Sequence, residues 1–116
     1  MTRGEVYWAD LAPRSGSEQS GRRPVVILSH NAFNHAPGWN SIIVVPLSTS
    51  PKQPKRGPTV VLVPASTWGL AGTGVVLCHQ ITTLDRSKFF NRIGAVSNTL
   101  LRSIENGVKA AIDFEL

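Results

Sequence analysis

Two adjacent arginines, Arg22 and Arg23, stand at the mouth of an apolar run, Pro24-Val-Val-Ile-Leu28, behind a loop bounded by Gly16 and Gly21. A guanidinium is the side chain best matched to a phosphate, because its planar fork of donors meets two anionic oxygens at once. The loop glycines permit conformations that a Cβ would penalise, Pro24 stiffens the junction, and the apolar run behind it reads as a buried strand that anchors the pair. By itself the pair also fits a solvated strand end. A second chemical group is the hydroxyl pair Ser48 and Thr49, where the apolar segment Ser41-Ile-Ile-Val-Val-Pro-Leu47 opens into a basic connection. A serine hydroxyl is a poor base at neutral pH, so a proton acceptor should stand near it. His79, beside Gln80, is the best-placed histidine for that work; an ordinary hydrogen-bonded strand histidine is the alternative reading.

Arginine, hydroxyl and histidine suffice for one reaction without a metal: cleavage of RNA by attack of its own 2′-hydroxyl on the adjacent phosphate. The protein need only position the chain, hold a cation over the developing charge and move protons. Other chemistries find less support. His30, His35 and His79 are not spaced as a ligand set, and one cysteine builds no thiolate site, so no metal is expected. The glycines of Gly69-Leu-Ala-Gly72-Thr-Gly74 lack the lysine of a phosphate-binding loop and read as a turn. Glu5, Asp10, Glu18 and Asp85 sit singly rather than as a carboxylate pair. No cofactor is expected.

The elements that must position these groups are short strands. Glu5–Leu11, Val25–Ser29, Ser41–Leu47, Thr59–Val63, Gly74–Gln80 and Ile93–Val96 carry the β-branched and aromatic residues, separated by Gly/Pro-rich loops. The segment 30–40 reads as a polar loop, and Leu84–Phe90 as a helical turn with Asp85 near its start. Leu100, Leu101, Ile104, Val108, Ala111 and Ile112 recur at helical spacing behind a candidate cap, Ser97, so 98–112 is predicted to be an amphipathic helix that Gly107 weakens. Many short strands plus one terminal helix imply a mainly β fold, a small bent barrel with the helix packed on it.

The 116 residues, 41 % hydrophobic, suffice for a single domain over 1–116 and not for two. Lys and Arg number 12 against 7 Asp and Glu, a formal charge of +5. A basic folded body favours a polyanion, with nucleic acid ahead of membrane because no basic amphipathic helix is present. Trp39 and Trp68, beside loops, could stack a base. Lys52, Lys55 and Arg56 lie in the 48–58 connection, where they could follow a phosphate backbone. Met1-Thr-Arg-Gly-Glu-Val carries no apolar signal core, and the lone Cys78 forms no internal disulfide, so a cytoplasmic location is expected.

Four blocks in order carry a family resemblance: Arg3-Gly-Glu-Val-Tyr-Trp-Ala-Asp-Leu11, Gly16-Ser-Glu-Gln-Ser-Gly-Arg-Arg-Pro-Val-Val-Ile27, Val44-Val-Pro-Leu-Ser48 and Leu77-Cys-His-Gln-Ile-Thr-Thr-Leu-Asp-Arg86. Over nearly the whole chain they resemble the MazF/PemK family of toxin endoribonucleases. The resemblance implies an SH3-like barrel of the CcdB/PemK type, a homodimer, sequence-specific cleavage of single-stranded RNA to 2′,3′-cyclic phosphate and 5′-hydroxyl ends, no metal, and neutralisation by a MazE-type antitoxin. It makes Arg23 the catalytic arginine and Ser48 the hydroxyl, at a position where relatives usually carry threonine; Thr49 substitutes if the register shifts by one. Where many relatives carry glutamate this chain has His79, which is able to exchange a proton near neutral pH. Glu18 and Gln19 fall in the loop that borders the RNA groove, and Arg22, Thr49, Trp39, Lys52, Lys55, Arg56, Gln80 and Arg86 complete the expected substrate-binding set. Two other readings share the fold, a non-catalytic CcdB-like gyrase poison and an RNA-binding regulator.

Overall fold

Val25-Val26-Ile27 is apolar at every position rather than at alternate ones, the pattern of a strand covered on both faces. The computed structural model, which describes residues 1–12, 16 and 19–114, shows why. Seven strands form one antiparallel arrangement: β1 Glu5–Asp10, β2 Arg22–Ile27, β3 Ser41–Ser48, β4 Val60–Val63, β5 Gly74–Leu77, β6 Thr82–Asp85 and β7 Phe89–Ala95. The order is β4-β5-β3-β2-β1-β7, with β6 also paired to β3. One edge of β3 serves two partners in succession, β6 along Ser41–Val44 and β5 at Leu47 and Ser48. A strand shared in this way must bend, and the bend closes the sheet into a small barrel with two apolar sides. Val6, Val26, Val45, Leu47, Val76 and Ile104 fill one side, whereas Ala9, Val25, Ile27, Ile42, Val44 and Leu84 fill the other.

Helix α2, Asn98–Ile112, covers the first side. It starts where the cap predicts, with Ser97 Oγ accepting the Leu100 N–H at 3.1 Å, and Ile104 is fully buried. An ion pair of 2.7 Å between Arg3 and Glu105 ties it to the start of the chain, and the same arginine donates from Nε to the Leu28 carbonyl. No helix among the described residues is long and apolar enough to cross a membrane.

Gly107, which local propensity marks as a weak point, is required by packing. A Cβ there would stand 2.6 Å from the buried Cys78 Sγ. Gly107→Ala should therefore destabilise the fold by about 1–3 kcal/mol, despite the ~1 kcal/mol that alanine gains in a helix. A lowered urea midpoint with unchanged slope would show this, and a raised midpoint would refute it.

Several boundaries differ from the sequence reading. Strand β2 begins at Arg22, so both arginines are strand residues, and it stops at Ile27 rather than Ser29. Strand β5 ends at Leu77; Cys78–Gln80 is one 3-10 turn, which takes His79 off a strand. The segment 30–40 contains a one-turn helix, α1 Asn31–Asn34, whose cap His30 accepts the Ala32 N–H at Nδ1. Four residues are too few to display a helical period. The expected turn at 84–90 shrinks to Arg86–Lys88, flanked by the unanticipated β6 and by β7, which starts at Phe89 rather than Ile93. Asp85 does cap that turn. Hydrogen bonds from the Ser87 hydroxyl, at 2.5 Å, and from its N–H, at 2.9 Å, hold the Asp85 carboxyl below its ordinary value.

Candidate active site

The arginine and hydroxyl groups stand on neighbouring strands, β2 and β3. Their register pairs Val25 with Pro46 and Val26 with Val45. That pairing ends at Val25 and Pro46, with Arg23 and Ser48 each two residues beyond it, and Ser48 pairs with Val75 of β5. Arg23 is exposed, and among the described residues its guanidinium makes no ion pair; it donates a long 3.5 Å bond to the Arg22 carbonyl. A cleft of about 280 Å³ lies here, lined by Trp8, Arg23, Pro24, Leu47, Thr49 and the segment Gly69–Ala71. Thr49 is exposed, whereas Ser48 is 4 % exposed. Ser48 Oγ accepts the Ser50 N–H at 3.2 Å, which organises the chain leaving β3 and keeps its hydroxyl hydrogen available to donate.

Adjacent strand residues point to opposite faces, and the two arginines separate accordingly. The Arg22 guanidinium lies over the Phe90 ring, 4.0 Å from its centroid. Phe90, at the start of β7, is a contact that sequence inspection did not single out; the Phe89-Phe90 pair, one ring inward and one outward, was its only signal. Lys52, Lys55 and Arg56 are exposed on the β3–β4 connection with no ion pair among the described residues.

His79 is held on a different element. Its 3-10 turn follows β5 and packs against β3, β4 and α2. His79 is exposed, with Nδ1 3.3 Å from Thr59 Oγ1, a partner that sequence reasoning missed. Cys78, one residue earlier, is fully buried, and desolvation pushes its thiol up to about 11, so it remains a protonated, inert filler near neutral pH. Gln80 is half-buried and its Oε1 accepts the Gln19 N–H at 2.8 Å. Glu18 lies outside the described residues.

Three expected substrate contacts, Trp39, Arg86 and Trp68, are engaged within the fold. Trp39 precedes β3, whose extended length from Ser41 to Ser48 is about 23 Å. Trp39 is 42 % exposed, tilts against Phe33 with centroids 5.0 Å apart, and donates from Nε1 to the Ser41 carbonyl. Arg86 is at the same far end, where its guanidinium donates to the carbonyls of Asn34 and Trp39 at 2.8–3.1 Å. Those bonds make Arg86 a clamp on the 34–39 segment. Trp68, half-buried, lies against Gly94 and donates to the Ala95 carbonyl at 3.2 Å, so its indole is engaged within the fold.

A mainly β fold with one C-terminal helix packed on it is shared with one toxin family. The family model described as PemK-like, MazF-like toxin of type II toxin-antitoxin system matches residues 2–112, and the chain belongs to that family, as a toxin of the MazF endoribonuclease type. Endoribonuclease MazF6 of Mycobacterium tuberculosis is 31 % identical over 113 residues, covering 97 % of each chain, and Endoribonuclease EndoA of Bacillus subtilis is 31 % identical over 98 % of each. Among solved structures, MazF from Deinococcus radiodurans aligns with a TM-score of 0.80 at 27 % identity, over 98 % of this chain and 97 % of that one. A mycobacterial endoribonuclease in complex with its cognate antitoxin aligns at 0.76 with 26 % identity, over 100 % and 98 %.

Proposed function

We propose that this chain cleaves single-stranded RNA at specific sequences without a metal, the substrate's 2′-hydroxyl attacking the adjacent phosphate. The products are a 2′,3′-cyclic phosphate and a 5′-hydroxyl. The observation that carries this reading is the exposed Arg23, free of ion pairs among the described residues and lining one cleft with Thr49, next to Ser48 at the end of the neighbouring strand. A guanidinium with no anion beside it among the described residues is ready to hold the charge that develops on the phosphate. The Ser48 hydroxyl donates to a phosphate oxygen, and Thr49 and the apolar wall of the cleft seat the neighbouring nucleotide. His79 exchanges the proton, with Thr59 orienting its ring through Nδ1 and leaving Nε2 for the substrate. Lys52, Lys55 and Arg56 follow the backbone beyond the cut, and Arg22, braced on Phe90, adds positive charge at its rim.

The resemblance to MazF proteins solved with an antitoxin supports a cytoplasmic toxin that is neutralised by a MazE-type partner. We place the working form as a homodimer, in which two cationic clefts give a longer path for RNA than one. This would also give Trp39, far from the cleft in its own chain, a substrate to meet.

The reading is tested by incubating the protein with a long single-stranded RNA in excess EDTA and mapping the fragment ends. Discrete cuts within a recurring sequence, each carrying a 5′-hydroxyl, are expected. Intact RNA, or ends bearing 5′-phosphate, would turn the reading down in favour of a binding protein or a different chemistry.

A further inference from the structure

The turn Cys78–Gln80 makes three separate attachments in three consecutive residues. Cys78 is wedged against the Cβ-less face of α2 at Gly107 and donates its N–H to the Thr59 carbonyl at 2.9 Å. His79 reaches Thr59 Oγ1, and Gln80 Oε1 takes the Gln19 N–H at 2.8 Å. The first two attachments fix the turn to the helix and to the start of β4. The third extends that rigidity to the chain leading into β2, four residues before Arg23. The other end of the same stretch is closed by the Leu11 N–H on the Gly21 carbonyl at 2.8 Å. Gln19–Gly21 is thus held at two points, one from β1 and one from the turn.

We propose that Gln80 is a positioning residue, a latch that fixes the stretch leading into Arg23, rather than a contact to RNA. The proposal rests on the reading of Arg23 as the phosphate-binding cation. The half-buried Gln80 side chain is turned to a backbone N–H, and a loop amide released from that acceptor gains freedom that Arg23 inherits. The histidine and the latch share one rigid turn, so the group that moves the proton and the group that holds the phosphate are referenced to the same helix.

Two variants separate the latch from a direct RNA contact. Gln80→Met keeps the length of the side chain and removes the acceptor; Gln80→Glu keeps an oxygen at Oε1. In the free protein, amide exchange at Gln19 should be about tenfold faster in Gln80→Met and close to the parent in Gln80→Glu, as expected for loss of one ordinary hydrogen bond. With saturating RNA, the single-turnover rate should fall about tenfold in Gln80→Met with KM little changed, and Gln80→Glu should restore most of that rate. Unchanged exchange at Gln19 in Gln80→Met, or a raised KM with an unchanged rate, would overturn the proposal. The exchange measurement needs no substrate: a parent protein that fails to cut RNA refutes the functional reading, while Gln19 still reports on the latch.

Discussion

Arg23→Ala should slow RNA cleavage by roughly 10²–10³-fold, the usual consequence of removing one preorganised charge-stabilising donor. The fold should be unaffected, because the guanidinium is exposed and holds no ion pair among the described residues. Arg23→Lys retains the charge but not the fork, so it should recover only part of the rate. Single-turnover rates at saturating RNA, beside thermal melts of the three proteins, make the comparison. A rate within about threefold of the parent for Arg23→Ala, where a decade corresponds to ~1.4 kcal/mol, would remove Arg23 from the chemistry. An equal loss of melting temperature would assign it a structural role instead.

The second large effect is expected far from the cleft in sequence. A Cβ on Gly94 would come within 2.2 Å of Trp68 Cδ1 and 2.8 Å of its Nε1, so Gly94→Ala must displace the indole. Trp68 sits at φ 53°, in the left-handed region, within the Thr67–Gly69 turn, and the residues that follow, Gly69–Ala71, form one wall of the cleft. Displacing the ring releases both its packing and its bond to the Ala95 carbonyl. A destabilisation of about 3 kcal/mol is expected, at the upper end of overpacking costs because the obstacle is a rigid ring braced by a hydrogen bond. Denaturant unfolding measures it. The companion Gly94→Ala, Trp68→Ala double variant should regain part of the loss if the clash is its cause, and no recovery would point to backbone effects at Gly94 alone.

The groups proposed for the chemistry stand out in the sequence because their signals are local. A loop glycine, a pair of arginines, a proline and an apolar run follow one another within 13 residues, and Ser48 ends the next apolar run but one segment later. The helix was equally open, since 15 residues give four turns of periodicity and Ser97 marks the start. What sequence left hidden depends on tertiary contact. Nothing local distinguishes the 3-10 turn at Cys78–Gln80 from the end of β5, because the turn is set by α2 pressing on Cys78 through Gly107. Arg86 and Trp39 looked like groups for a polyanion and a base. The shared strand β3 carries them to its far end, where Arg86 holds backbone carbonyls and Trp39 leans on Phe33. The strand begins three residues before the apolar run and turns the adjacent arginines to opposite faces, Arg22 onto Phe90 and Arg23 into the cleft with Trp8 and Thr49.

The central claim is that the substrate supplies the nucleophile and the protein supplies charge, position and a proton. It is tested most directly with an RNA oligonucleotide spanning one mapped cut, with a single 2′-deoxynucleotide on the 5′ side of the scissile phosphate, in excess EDTA. The account requires that the all-ribose strand is cut and the substituted strand is left intact at that bond while binding equally well. Cleavage of the substituted strand would contradict it, since the attacking group would then have to be water or a residue of the protein.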